Sequence, residues 1–159
     1  MNIRNLHKAF LESTGVNTDT RSLLPGQMFF ALVGENFNGN TFAKKALDNG
    51  CLCAVISESF EGIEEYTNVF LVEDTLETLQ ELARFHRSKL KIPVIGLTGS
   101  NGKTTSKELI GAVLTQKYNA LITEGNLNNH LGVPFTLLRM SNAHEIAIMN
   151  RRVARAKRN

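Results

Sequence analysis

The run Val94-Ile95-Gly96-Leu97-Thr98-Gly99-Ser100-Asn101-Gly102-Lys103-Thr104-Thr105 constrains this chain more than any other stretch. It opens on apolar and β-branched residues that suit a buried strand, turns through small residues, and enters a segment of helical spacing after Lys103. Glycines at 99 and 102 let backbone N–H groups turn toward an anion, and the helix adds the partial positive charge of its N-terminus. Lys103 is placed to reach terminal phosphates and neutralise charge during reaction, and the Thr104 hydroxyl to ligate a magnesium ion bridging them. Gly99, Ser100, Asn101, Gly102, Lys103, Thr104 and Thr105 are therefore the candidate nucleotide-binding residues, with Lys103 the candidate catalytic residue and Thr104 the candidate metal ligand. A tight strand-to-helix turn whose glycines only relieve steric strain would use the same residues.

Apolar spacing predicts a helix over residues 3–13, and Met28 to Leu32 read as a strand after the turn Leu24-Pro25-Gly26-Gln27. Residues 34–40 read as a polar loop. A short helix is expected from Phe42 to Leu47, and strands over Leu52 to Ser57 and Val69 to Val72. Asp74 suits an N-cap, with Glu77 completing a capping box, for a helix over 75–90. After the glycine turn, Leu109, Ile110, Val113 and Leu114 are expected to form the core face of a helix. A strand over 119–122, a helix over 134–140 and a strand over 145–149 follow. Strand and helix alternate, so the fold class is α/β with parallel sheets and right-handed crossovers. The division expected is a small α/β domain over 1–85, a phosphate-loop parallel-sheet domain over 86–150, and a basic tail over 151–159.

Charge is unevenly placed. The net charge of +3 includes five basic side chains and no acid in residues 151–159; without them the body holds 13 basic against 15 acidic residues. That balance gives the body no nucleic-acid footprint, and the tail is read as unrelated to the fold rather than as a phosphate-seeking arm. No apolar run approaches the roughly 20 residues needed to cross a bilayer. The N-terminus lacks the apolar core and cleavage site of a signal peptide, so a cytoplasmic monomer is expected. Cys51 and Cys53 flank Leu52 in an apolar segment, which suits buried thiols better than a disulfide.

Two further stretches carry chemistry. Asparagine both donates and accepts, so Gly125-Asn126-Leu127-Asn128-Asn129-His130 on a loop at a strand's carboxyl end could hold substrate without adding charge. Asn and Gly also favour plain turns. His130 suits contact with a phosphate or carboxylate, and equally a satisfied loop position. Near the N-terminus, the Thr20 hydroxyl and backbone N–H groups near Gly34 could meet diphosphate oxygens, whereas Asp19 and Arg21 read on their own as a local ion pair.

A generic phosphate loop has its first glycine five residues ahead of the Gly-Lys pair; here that position is Leu97, with Gly96 one residue earlier. The run Gly-x-Thr-Gly-Ser-x-Gly-Lys-Thr-Thr instead resembles the Mur ligases and their folate-polyglutamate relatives, which use ATP to join a carboxylate to an amine. Gly-Asn-Leu-Asn-Asn-His-Leu-Gly-Val-Pro is similar to the branch that adds D-alanyl-D-alanine to UDP-N-acetylmuramoyl-tripeptide in peptidoglycan precursor synthesis. Thr18-Asp19-Thr20-Arg21 and Pro25-Gly26-x-x-Phe29-Phe30-Ala31-Leu32-x-Gly34 resemble the domain holding the UDP end of that substrate.

The resemblance implies ATP and Mg2+ as cofactors, and Thr20, Arg21, Gly34, Asn126, Asn129 and His130 as substrate-binding residues. ATP would phosphorylate the substrate carboxylate, and the amine would then displace phosphate. The resemblance stops near Met149. It implies a magnesium-holding glutamate next, where this sequence has Asn150, so a truncated chain with little turnover is expected. The alternative is a non-catalytic module that holds a UDP-sugar peptide or nucleotide phosphates. A folate-acting relative is disfavoured by Lys103-Thr104-Thr105 and the Asn-rich segment.

Overall fold

A computed structural model describes residues 2–99, 101–124 and 129–150. Among them the elements run α1 (Ile3–Glu12), β1 (Val16–Asn17), β2 (Met28–Phe30), β3 (Val33–Gly34), β4 (Phe37–Asn38), α2 (Ala43–Asp48), β5 (Cys53–Ile56), β6 (Val69–Leu71), α3 (Thr75–Lys89), β7 (Val94–Leu97), α4 (Lys103–Leu114), β8 (Ala120–Ile122), α5 (Gly132–Leu138) and β9 (Ile146–Asn150). Short 3-10 turns cover Gly39–Phe42 and Ile63–Glu65. The chain divides into two compact units, Met1–Phe85 and His86–Asn159. The α/β class with parallel sheets expected from the sequence is the class observed.

The first unit is built on a four-stranded parallel sheet in the order β1-β2-β5-β6. Every residue of β2 and β5 is buried, so both faces of these central strands are covered, as a parallel sheet requires. On one face Phe29, Ala54 and Ile56 pack with Ala43, Ala46 and Leu47 of α2. α1 and α3 meet through an edge-on contact between the His7 and Phe85 rings, centroids 5.0 Å apart. α3 starts where the sequence places it, because the Asp74 carboxylate accepts the Glu77 N–H at 2.8 Å. Cys51 and Cys53 are buried free thiols, and burial pushes them up to about 11 and about 12.

The stretch read as a polar loop holds a small antiparallel hairpin, β3 with β4, pairing Val33 with Asn38 and Gly34 with Phe37. Its two-residue strands are too short for a periodic signal. Gly39 seals the hairpin to the end of β2: its N–H donates to the Leu32 carbonyl at 2.8 Å, and a Cβ there would lie 2.6 Å from that oxygen. Asn38 and Asn40 are structural. Asn40, buried, accepts the Ser57 N–H at 2.9 Å and donates to Asn38 Oδ1 at 2.9 Å.

The second unit has a three-stranded parallel sheet in the order β7-β9-β8. Ala147 and Met149 pack with Leu90, Leu121 and Met140 in one core cluster. Within this unit the buried His86 ring nitrogen lies 2.8 Å from the Met140 carbonyl.

One expectation fails in part on α4. Leu109 and Val113 do not face the core; they are 65% and 71% exposed. The buried positions are Lys107 and Gly111. Gly111 permits a close approach of helix to sheet, since a Cβ there would meet Ile122 Cδ1 at 2.5 Å. Helix and sheet are thus in contact along the glycine side, with Ile110 and Leu114 half-buried beside it and Leu109 and Val113 turned outward.

Candidate nucleotide and substrate sites

The glycine turn takes the strand-to-helix form its residues dictate. β7 ends at Leu97, Gly99 has φ +145° and Gly102 φ +77°, and α4 begins at Lys103. Gly102 is the N-cap of α4, in the left-handed region that glycine enters without a steric penalty. It offers no side-chain cap, so the first-turn N–H groups of α4 are not occupied by a capping side chain. The Lys103 ammonium folds back and donates to the Gly99 carbonyl, spanning the turn. Thr104 and Thr105 sit exposed in the first turn, and Asn101 is exposed in the loop. Ser100 lies outside the described residues. A cation, an exposed hydroxyl and a helix N-terminus therefore converge at the carboxyl end of β7, the edge where open parallel sheets bind ligands.

Sequence reasoning missed what stands behind this turn. Lys107, one helical turn after Lys103, is 1% exposed; its Nζ donates to the Thr123 carbonyl at 2.5 Å and lies 3.1 Å from the Glu108 carboxylate. Thr123 in turn bonds Ile148 O through its N–H at 3.0 Å and its hydroxyl at 3.2 Å. Asn150, 1% exposed, pairs in register with Leu97, and neither its Oδ1 nor its Nδ2 has a hydrogen-bond partner among the described residues. The repeat of lysine at i and i+4 was the available signal for Lys107, because it puts both on neighbouring turns of one helix side.

The magnesium expectation meets a poor donor set. Hard dications take carboxylate oxygens beside substrate phosphates. At the carboxyl ends of β7 and β9 stand the Thr104 hydroxyl and the neutral Asn150 amide. No cluster of three or more His, Cys, Asp or Glu side chains suited to a metal occurs among the described residues.

In the loop after β8, Asn129 is used by the fold: its Oδ1 accepts the Gly132 N–H at 2.7 Å and the Leu131 N–H at 3.2 Å, in the turn leading into α5. His130 is exposed beside it. Asn126 lies outside the described residues. In the first unit, Thr20 and Arg21 follow β1 and Gly34 follows β2; these strands are parallel neighbours, so both loops leave the same sheet edge. Gly34 is exposed, with nothing within 4 Å of a Cβ built there. The Arg21 guanidinium is forked onto Asp19, Nε to Oδ1 at 2.9 Å and Nη2 to Oδ2 at 2.6 Å, and is 87% exposed. That hydrogen bond holds the Asp19 carboxyl down at about 2.

A glycine-turn strand-loop-helix in one unit, and a second parallel-sheet unit with loops at its carboxyl edge, make this a two-unit α/β chain. Residues 97–151 match the Mur ligase middle domain, and residues 12–87 match the Mur ligase family catalytic domain. The chain belongs to the Mur ligase family. The UDP-N-acetylmuramoyl-tripeptide--D-alanyl-D-alanine ligase of Synechocystis sp. is 50% identical over 132 residues, covering 83% of this chain and 29% of that protein. The crystal structure of MurF from Acinetobacter baumannii superposes with a TM-score of 0.82 at 33% identity, over 96% of this chain and 36% of that one. The MurF ligase of Thermotoga maritima, solved in complex with ADP, gives 0.79 at 30% identity, over 92% of this chain and 33% of that one. The chain spans about 30% of the length of the curated relative.

Proposed function

We propose that this chain supplies the UDP-substrate and polyphosphate-binding parts of an ATP-dependent ligase that joins D-alanyl-D-alanine to UDP-N-acetylmuramoyl-tripeptide. The observation that carries the reading is the turn from β7 to α4, with Lys103 spanning it to Gly99. The α4 N-terminus and backbone N–H groups of residues 99–105 receive phosphate oxygens, and Lys103 releases Gly99 to neutralise the transferred group. Thr104 and Thr105 add hydroxyl donors. The loops bearing Thr20, Arg21 and Gly34 take the UDP end of the substrate, and the loop through Asn129 and His130 takes part of the remainder. ATP is the nucleotide cofactor; the family resemblance implies Mg2+ beside it, and the Thr104 hydroxyl and Asn150 amide are a poor donor set for that ion. The chain acts as a cytoplasmic monomer, with no membrane or nucleic-acid partner.

A second reading, a module that holds ligands without turnover, is favoured by one observation: Asn150 gives the β9 strand end no anionic group. Separate titrations with ADP and with UDP-N-acetylmuramoyl-tripeptide, followed by an amide-formation assay, distinguish the two. Lys103→Met should weaken ADP binding by about tenfold or more while leaving the UDP substrate's affinity unchanged. ADP binding unaffected by that substitution would overturn the nucleotide assignment.

A further inference from the structure

We infer that polyphosphate at the Gly99–Thr105 turn is held by the protein's own cations, without an obligatory divalent metal, and that Asn150 sets this preference. The inference rests on the nucleotide reading above. Asn150 is at the carboxyl end of β9, opposite Leu97, the last strand residue before the turn. Its amide is 1% exposed, and both polar atoms lack a partner among the described residues, so a buried donor and a buried acceptor stand beside a phosphate cradle.

The side it faces follows from register. Ile122 points at α4, because its Cδ1 would be 2.5 Å from a Gly111 Cβ. Ile148 pairs with Ile122 and so shares that face, and Asn150, two residues on, shares it too. Ala147 and Met149 take the opposite face, in the core cluster. The charge brought to the α4 side is positive: Lys103, the buried Lys107 and the α4 N-terminus. Glu108 is the carboxylate nearest this group in the chain; it is 62% exposed and paired with Lys107.

A magnesium ion placed here would meet a neutral amide and two ammonium groups instead of a carboxylate, and like charges disfavour it. Phosphate oxygens meet the reverse situation. The Asn150 Nδ2 can donate to one of them, and its Oδ1 can accept from a hydroxyl or water.

The test titrates the full chain with ADP by calorimetry, once in EDTA and once in magnesium chloride, beside Asn150→Asp and Asn150→Ser. For the unsubstituted chain the two dissociation constants should agree within about threefold; N150D should lose about tenfold in EDTA and recover in magnesium. N150S, neutral but without the amide, should weaken binding about equally in both buffers. Binding by the unsubstituted chain that is about tenfold tighter in magnesium overturns the inference and leaves the nucleotide reading standing. Absence of ADP binding in both buffers overturns both. Variants that match the parent in both buffers remove the role given to Asn150. If neither variant folds, the comparison in the unsubstituted chain still decides the metal dependence.

Discussion

Lys107 Nζ donates to the Thr123 carbonyl oxygen at 2.5 Å from a side chain that is 1% exposed. Burying an ammonium is unfavourable unless it is paired and hydrogen-bonded. Here the carbonyl and the Glu108 carboxylate supply those partners, and the contact locks α4 to the end of β8. Lys107→Met keeps the packing volume and removes the donor, leaving Thr123 O buried without this donor. Urea unfolding should show a loss of about 1–3 kcal/mol. Unchanged or increased stability would mean that desolvation of the ammonium outweighs its bonds.

Gly39 and Gly111 offer a contrast in what a methyl group meets. At Gly39 the obstacles are backbone atoms, Leu32 O at 2.6 Å and Ala31 C at 2.8 Å, which cannot rotate away. Gly39→Ala should cost about 1–3 kcal/mol and loosen the hairpin. At Gly111 the obstacle is the tip of the Ile122 side chain. That tip can change rotamer, and alanine favours the helix by about 1 kcal/mol, so Gly111→Ala should cost less than Gly39→Ala. Parallel denaturant curves check the order.

The Asp19 carboxyl, held at about 2 chiefly by the Arg21 side-chain hydrogen bond, should titrate near that pH in a carbon-detected NMR experiment. Arg21→Ala should return it toward 3.8. Because the folded value is depressed, the pair's contribution to stability is present above the unfolded value and is lost as pH falls through about 2. Both groups face solvent, so the effect on stability should be small.

Burial raises the Cys51 and Cys53 thiols from 9.0 to about 11 and about 12. Their contribution to stability is fully present below pH 9 and declines as pH rises through the folded values, because the unfolded chain ionises first. At pH 8 a thiol-specific disulfide reagent should react slowly with native protein and rapidly in denaturant. Fast reaction of both thiols under native conditions would contradict their enclosure.

Periodic segments were the legible part of the sequence. Helices at 3–12 and 75–89, the strand-to-helix turn at Gly102 and the Asp74 cap were all readable, because spacing and capping are local. α4 was misread because apolar periodicity counts Leu109 and Val113 and does not register a glycine as a contact surface. The burial of Lys107 has a non-local cause, the Thr123 carbonyl just after β8, sixteen residues later in the chain. Asn129, a candidate ligand residue, already spends its Oδ1 on the N–H groups of Leu131 and Gly132 where the loop enters α5. Arg21, another candidate ligand residue, is forked on Asp19 two residues away.

The strand order β7-β9-β8 has a consequence for synthesis on the ribosome. β7 and β8 are made first but do not bond to one another; each waits for β9, which lies between them and is translated last of the three. All four strands of the first sheet have been made by Leu71, so their pairing can begin while the nascent polypeptide is still short. The glycine turn after β7, by contrast, has β9 beside its strand only once residue 150 has cleared the exit tunnel, and until then β7 and β8 are open to mispairing.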